Sequence, residues 1–164
     1  MFDRWGRFGR PVLLLHGILF DRTMWWPVAA ELAGATSCTV VAPDLPGHGD
    51  SPARDSHDPA TLAADLAGLV HGLDLHRAPI VVGHAESAML ARAFAERFAI
   101  HEVLTVDDLG GGQTEIPEHY RPYARARHDP ALLTAYAKWP RQTRTWPHLA
   151  DPAGFAAGLK ARLT

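Results

Sequence analysis

The chain is short of the residues around which several classes of small protein are built. It holds one cysteine, Cys38, so neither an internal disulfide nor a cysteine zinc site can form. That thiol lies just before an apolar run and is expected to be a small buried residue. No apolar run approaches the length needed to cross a bilayer, so no membrane partner is expected. Met1-Phe2-Asp3-Arg4-Trp5 lacks the long apolar segment of a secretory leader, which makes the cytoplasm the expected compartment. Neither sign of charge dominates: 16 Lys and Arg stand against 18 Asp and Glu, for a net charge of −2. The arginines from Arg121 to Arg144 are interleaved with Pro, Tyr and Trp rather than clustered, which argues against a nucleic-acid partner. The 10 histidines show no pair at helical ligand spacing, so no metal is expected. No Gly-x-Gly-x-x-Gly follows a strand, and Gly47-His48-Gly49 stands in the wrong context for a nucleotide loop, so no cofactor is expected either.

What is present is an ordinary globular composition, with 47% hydrophobic and 21% charged residues in 164, enough for one domain with a core. Val12-Leu13-Leu14-Leu15 is a four-residue apolar run closed by His16-Gly17, and reads as a buried strand. A helix is expected from Met24 to Ala33 with Thr23 as N-cap. Its Trp25 and Trp26 would pack on the sheet or line a cleft. Thr39-Val40-Val41-Ala42 reads as a second strand, followed by the turn-rich stretch from Asp44 to Pro52. Asp58-Pro59 opens a helix whose Leu62, Leu66, Leu69 and Leu73 form one apolar stripe. Ile80-Val81-Val82 is a third strand, 85–98 a third helix, and Val103-Leu104-Thr105-Val106 a fourth strand ending at Asp107-Asp108.

Strands of about four apolar residues alternating with helices predict an α/β three-layer sandwich around a short parallel sheet of about four strands. Ligands in such sheets sit beyond the carboxyl ends of the strands. After Gly110-Gly111-Gly112 the pattern becomes helical, with starts at Asp129-Pro130 and Asp151-Pro152. The expected division is a core over 1–112 and a helical cap-like segment over 113–164, with the three glycines as hinge.

Pro79 to Met89 runs from a strand through Gly83 into a helix, the layout of a nucleophile elbow, whose turn lifts one side chain above the sheet. The residue at that position is Ala85, which carries no oxygen or sulfur and cannot attack anything. Three stretches in order resemble the α/β-hydrolase superfamily. Pro11 to Gly17 is similar to its strand and His-Gly turn, and Asp44-Leu45-Pro46-Gly47-His48-Gly49-Asp50-Ser51 to its Asp-x-x-Gly-x-Gly-x-Ser loop. Val82 to Ala88 falls where that family shows Gly-His-Ser-x-Gly-Gly. The resemblance covers about residues 11–112 and implies the strand order 39–42, 12–15, 80–82, 103–106. It also implies an oxyanion hole made by the backbone N–H groups of Ile18 and Glu86, beside the His16-Gly17 turn.

The chain departs from the family at several points. Ser87 stands where a glycine is usual, the late acid and histidine of the triad are not found, and strands before Pro11 are nearly absent. The result looks like the first half of a hydrolase core with part of a cap.

The candidate site is therefore Ala85 at the elbow apex, His84 and Asp107 as the titratable groups near it, and His16, Gly17, Ile18, Glu86 and Trp25 around a ligand. Each has a plainer reading. His16-Gly17 is a turn the fold needs, and His84 a packed ring. Asp107 is a solvated loop acid, and Glu86 a carboxylate favoured by a helix N-terminus. Ser87 faces away from the apex and is small for close packing, while Asp44 and Ser51 hold their loop by Asx-type bonds. The expected function is an α/β-hydrolase-fold protein without ordinary esterase activity that binds a small apolar or carbonyl-containing ligand. The alternatives are an inactivated or truncated carboxylic-ester or related hydrolase, serine-independent chemistry using His84 or Asp107, or an interaction module. The open sheet edges point to a homodimer or a partner chain.

Overall fold

The computed structural model of the chain describes residues 1–109, 115, 118, 121–122, 130–136, 138–139 and 144–163. Five strands make one sheet: β1 (Phe2–Trp5), β2 (Arg10–Leu15), β3 (Cys38–Pro43), β4 (Ile80–Gly83) and β5 (Glu102–Thr105), in the order β1-β3-β2-β4-β5. The four apolar runs pair in parallel in the expected order, with Leu13 between Val41 and Val81. The fifth strand adds one to the about four expected, and stands before Pro11, where strands are expected to be nearly absent. Phe2–Trp5 pairs antiparallel with β3, Phe2 opposite Pro43 and Trp5 opposite Val40. It carries the charged Asp3 and Arg4 side by side between Phe2 and Trp5, as an edge strand can. It covers one of the two edges that had been expected to be open.

The pleat sorts the core. Val12 and Leu14 of β2 face one side and Leu13 and Leu15 the other, all fully buried. On the first side lie α1 (Trp26–Ala35), α5 (Pro147–Ala150) and α6 (Pro152–Lys160), which bring Val28, Leu32, Leu149, Phe155 and Leu159. On the second lie α2 (Pro59–Gly72) and α3 (Ser87–Arg97), with Leu62, Leu66, Leu90 and Phe94. A short helix, α4 (Pro130–Tyr136), adds Leu132 and Tyr136 to that second side. The expected helical stripe of 62–73 is thus core-facing, and α6 packs beside α1 on the sheet. Cys38 is buried. The glycines 110–112 proposed as a hinge lie outside the described residues. No helix among the described residues is long and apolar enough to cross a membrane.

Two helix starts differ from expectation. A 3₁₀ turn over Arg22–Trp25 precedes α1, and its cap is Asp21, whose carboxylate accepts from the Thr23 N–H at 2.9 Å; Thr23 is not the cap. The third helix begins at Ser87, because Ala85 has φ +51° and cannot be helical. The last strand ends at Thr105, and Val106 opens a 3₁₀ turn through Leu109.

Candidate functional site

The carboxyl ends of β2 and β4 meet at the elbow. The His84 N–H donates to the Leu15 carbonyl at 3.0 Å, carrying the pairing one residue past the strands. Ala85 then takes the left-handed conformation that L side chains avoid, at a cost of about 1–2 kcal/mol, and the chain enters α3. The tight return needs glycine at 83: a Cβ there would stand 2.6 Å from the Ser87 carbonyl oxygen and 2.7 Å from the Ala88 backbone. Close helix–strand approach is therefore secured at Gly83. Ser87 is fully buried and does more than fit, since its hydroxyl donates to the His16 carbonyl at 2.5 Å and ties the two strand ends together.

Gly17 abuts the apex. A Cβ on it would come within 2.9 Å of His84 Nδ1 and 3.4 Å of both Ala85 Cβ and Glu86 Oε2. Three candidate residues are thus gathered around one point. The His16 ring is turned away from this point: its Nε2 accepts from the Leu45 N–H at 3.0 Å and its Nδ1 donates to the Gly17 carbonyl. His16 holds the Asp44 loop against the turn. His48 Nε2 lies 3.0 Å from the Ile18 carbonyl, which holds the Ile18–Leu19 peptide. Among the described residues neither the Ile18 nor the Glu86 backbone N–H is taken by a hydrogen bond.

The C-terminal segment covers this junction. Arg144 Nη2 donates to Glu86 Oε1 at 2.8 Å, and the Thr145 hydroxyl donates to Asp107 Oδ1 at 2.5 Å. The Thr145 carbonyl accepts from His84 Nε2 at 3.1 Å. A carbonyl can only accept, so Nε2 carries the proton and Nδ1 of the neutral ring is an acceptor. The ring is neutral at pH 7: burial lowers its pKa to about 4 against the opposing pull of the Thr145 carbonyl and Glu86. Trp146 packs on the His84 ring at 5.0 Å between centroids, and His148 at 4.9 Å. His148 is itself fully buried, and its pKa is pushed well down by burial and then by His84.

Trp25 is fully buried against His148 and Phe155 and forms the floor beneath His84 rather than the wall of an open cleft. Trp26, half exposed, donates to Asp3 instead. Asp107 is exposed and is held by Thr145. No group of three or more His, Cys, Asp or Glu among the described residues is arranged to hold a metal. Sequence reasoning missed Arg144, Thr145 and His148. No local spacing marks them, since Thr145 meets His84 across 61 residues.

Several atoms of this cluster have no partner among the described residues. His84 Nδ1, Glu86 Oε2, both nitrogens of His148 and Trp25 Nε1 are buried without a hydrogen bond. An unsatisfied buried polar atom costs about 1–3 kcal/mol, so such a concentration at one strand end is a functional pointer.

Comparison with known proteins agrees with this geometry. A structure of a thermophilic esterase from Thermogutta terrifontis matches with a TM-score of 0.59 at 33% identity, over 64% of this chain and 39% of that one. An uncharacterized protein of Mycobacterium tuberculosis is 41% identical over 91 residues, which is 55% of this chain and 26% of that protein. The protein phosphatase methylesterase 1 of Bos taurus is 32% identical over 90 residues, 52% of this chain and 24% of that protein. The chain thus spans about a quarter of each of these curated relatives. The model of the alpha/beta hydrolase family matches residues 12–163, nearly the whole length. With the strand order, the elbow and the His-Gly turn all in place, the chain belongs to the alpha/beta hydrolase family.

Proposed function

We propose that this chain binds a small apolar or carbonyl-containing ligand at the elbow and does not hydrolyse it by nucleophilic attack from residue 85. The observation that carries this is Ala85. It keeps the left-handed backbone of an elbow apex, with its conformational cost, yet presents only a methyl group. The backbone donors of an oxyanion hole do not depend on that side chain, and the N–H groups of Ile18 and Glu86 are unclaimed among the described residues. A carbonyl oxygen held there is polarised but not attacked.

Two measurements test this. Turnover of p-nitrophenyl butyrate is expected to match buffer. Titration with 2-pentanone is expected to shift the backbone amide resonances of Ile18 and Glu86. Ester turnover that co-elutes with the protein, or unmoved amides, overturns the proposal. A second reading, a dimerisation module, is favoured by β5, which pairs only with β4 among the described residues and so leaves an edge. Light scattering that gives a monomer mass at high concentration removes it.

A further inference from the structure

The connection from β1 to β2 has to step across the amino end of β3, because β3 lies between those two strands in the sheet. It does so through Gly6-Arg7-Phe8-Gly9. Both glycines take positive φ, +78° and +85°, and press so closely on β3 and the residue before it that a Cβ on either would overlap the carbonyl oxygen of Cys38 or Ser37. The buried Thr39 hydroxyl donates to the Phe8 carbonyl at 3.0 Å and fixes the turn from beneath. With the backbone held against β3, the side chains of the turn point outward. Phe8 is 80% exposed, more than any other large apolar residue described. Arginines surround it. The Arg4 guanidinium donates to the Gly6 and Arg7 carbonyls at 3.1 and 3.2 Å and stands beside the turn. Arg7 is exposed at the tip. Arg10 donates to the Ala78 carbonyl at 3.0 Å, which brings exposed Arg77 to the same end of the sheet. None of these arginines forms an ion pair among the described residues. Acids on the adjoining segments are matched elsewhere: Asp3 with Arg22, Asp74 with His76 and Glu102 with Arg162.

We propose that this turn docks the protein on an anionic lipid surface, with Phe8 entering the boundary between headgroups and acyl chains while Arg4, Arg7 and Arg77 face the headgroup anions. An exposed aromatic ring among uncompensated cations suits such a boundary, and surface docking of this kind needs no spanning helix. A fluid bilayer admits a lone protruding side chain wherever it meets one. A protein partner would need about 800 Å² of shaped surface on this side, which the tip of a tight turn does not offer. Each arginine near an anionic surface strengthens binding about fivefold, and burial of a phenyl ring adds about tenfold or more, so the association is weak and reversible. The turn stands at the amino ends of the parallel strands, about 20 Å along β2 from the His-Gly turn. A molecule docked this way holds its elbow away from the lipid and open to solution.

The test uses the whole chain and sedimentation with sucrose-loaded vesicles, one set of phosphatidylcholine alone and one with about 30% phosphatidylserine. Binding is expected on the second set and is expected to be at least about tenfold weaker on the first. On the anionic vesicles Phe8→Ser is expected to lose about tenfold, and Arg7→Glu about twentyfold, since it removes a cation and adds an anion. Both side chains are exposed, so both variants are expected to keep the urea midpoint of the wild type. Absence of sedimentation with the anionic vesicles overturns the proposal. Sedimentation that Phe8→Ser leaves unchanged also overturns it, because adsorption by charge alone involves no insertion. Retention on immobilised polyglutamate that both variants weaken, without vesicle binding, assigns the turn to an acidic protein and overturns the lipid surface.

Discussion

Two buried polar clusters sit at carboxyl ends of strands on either side of β2, and they are built in opposite ways. At the end of β3, Asp44 is saturated. It accepts from the Arg22 N–H and the Asp50 N–H, each at 2.9 Å, and from the Arg22 guanidinium, while the Ser51 hydroxyl donates to its carbonyl. At the end of β4, the cluster of His84, Glu86 and His148 leaves four atoms unpaired among the described residues. A saturated buried network specifies a shape, whereas an unsaturated one holds free energy that a ligand can release. The first cluster therefore acts as scaffold, and the second is where binding is to be sought.

The contrast is broken most forcefully at Asp44. Its side chain is fully buried, and it is the centre of an arginine shared with Asp3 and Asp50. Asp44→Ala leaves three donors without their acceptor, the backbone N–H groups of Arg22 and Asp50 and one guanidinium nitrogen of Arg22, and we expect a loss of about 4 kcal/mol in urea unfolding. A loss below about 1 kcal/mol removes the distinction between the two clusters.

Acid sharpens the comparison from the other side. The folded pKa of His84 is depressed to about 4, while the unfolded ring keeps an ordinary value near 6.5. Below pH 6.5 the unfolded chain binds the proton that the folded chain refuses. Stability contributed by the neutral ring is thus full above pH 6.5 and is lost as pH falls toward 4, by about 3 kcal/mol for His84 alone. His148 acts in the same direction. Tryptophan fluorescence should follow the change, because Trp25 and Trp146 pack on these rings. A urea midpoint that stays flat from pH 7 to 4.5 contradicts the burial of neutral imidazoles.

Glu86 supplies the smaller test of the same idea. Glu86→Leu removes a buried acceptor that has no partner and frees Arg144, whose side chain is one-third exposed and can turn to water. We expect a gain of about 1 kcal/mol, opposite in sign to Asp44→Ala. A loss of similar size places Glu86 with the scaffold.

How much of this could be read in advance follows from the range of the forces. The four parallel strands were legible because each is a continuous apolar run, and the sheet order followed from the resemblance. β1 was not, since Phe2-Asp3-Arg4-Trp5 is half charged, shows neither an apolar run nor alternation, and pairs with the neighbouring Val40–Pro43 edge. The elbow was legible at Gly83, where the close approach of the Ser87 and Ala88 backbone shows in residue choice, and in the apolar run passing through it into a helical pattern. The direction of the His84 proton was not, because it is decided by the Thr145 carbonyl. Nor was Ser87's bond to His16, which spans 71 residues. Asp44 and Ser51 do hold their loop as expected, but not by Asx-type bonds: the Asp44 carboxylate accepts from Arg22 and from the Asp50 N–H, and Ser51 donates to the Asp44 carbonyl.

The mildest change tests whether the elbow lacks one atom or more. Ala85→Ser restores a hydroxyl at a position that already has the required backbone. For that oxygen to attack, a base must take its proton, and the base must be held by an acid. Among the described residues, the two titratable groups considered as partners, His84 and Asp107, are already engaged. Nε2 of His84 donates to Thr145, and Asp107 accepts from the hydroxyl of the same residue. The free Nδ1 of His84 is a weak base, with its pKa near 4, and is poorly matched to neutral pH. Polarisation of the carbonyl by Ile18 and Glu86 would remain as the only catalytic help. We therefore expect Ala85→Ser to hydrolyse p-nitrophenyl butyrate less than about tenfold faster than the Ala85 protein at pH 7. An increase of about a thousandfold or more shows that a competent base stands within reach of residue 85, and moves the elbow from a binding site to a catalytic one that lacks a single oxygen.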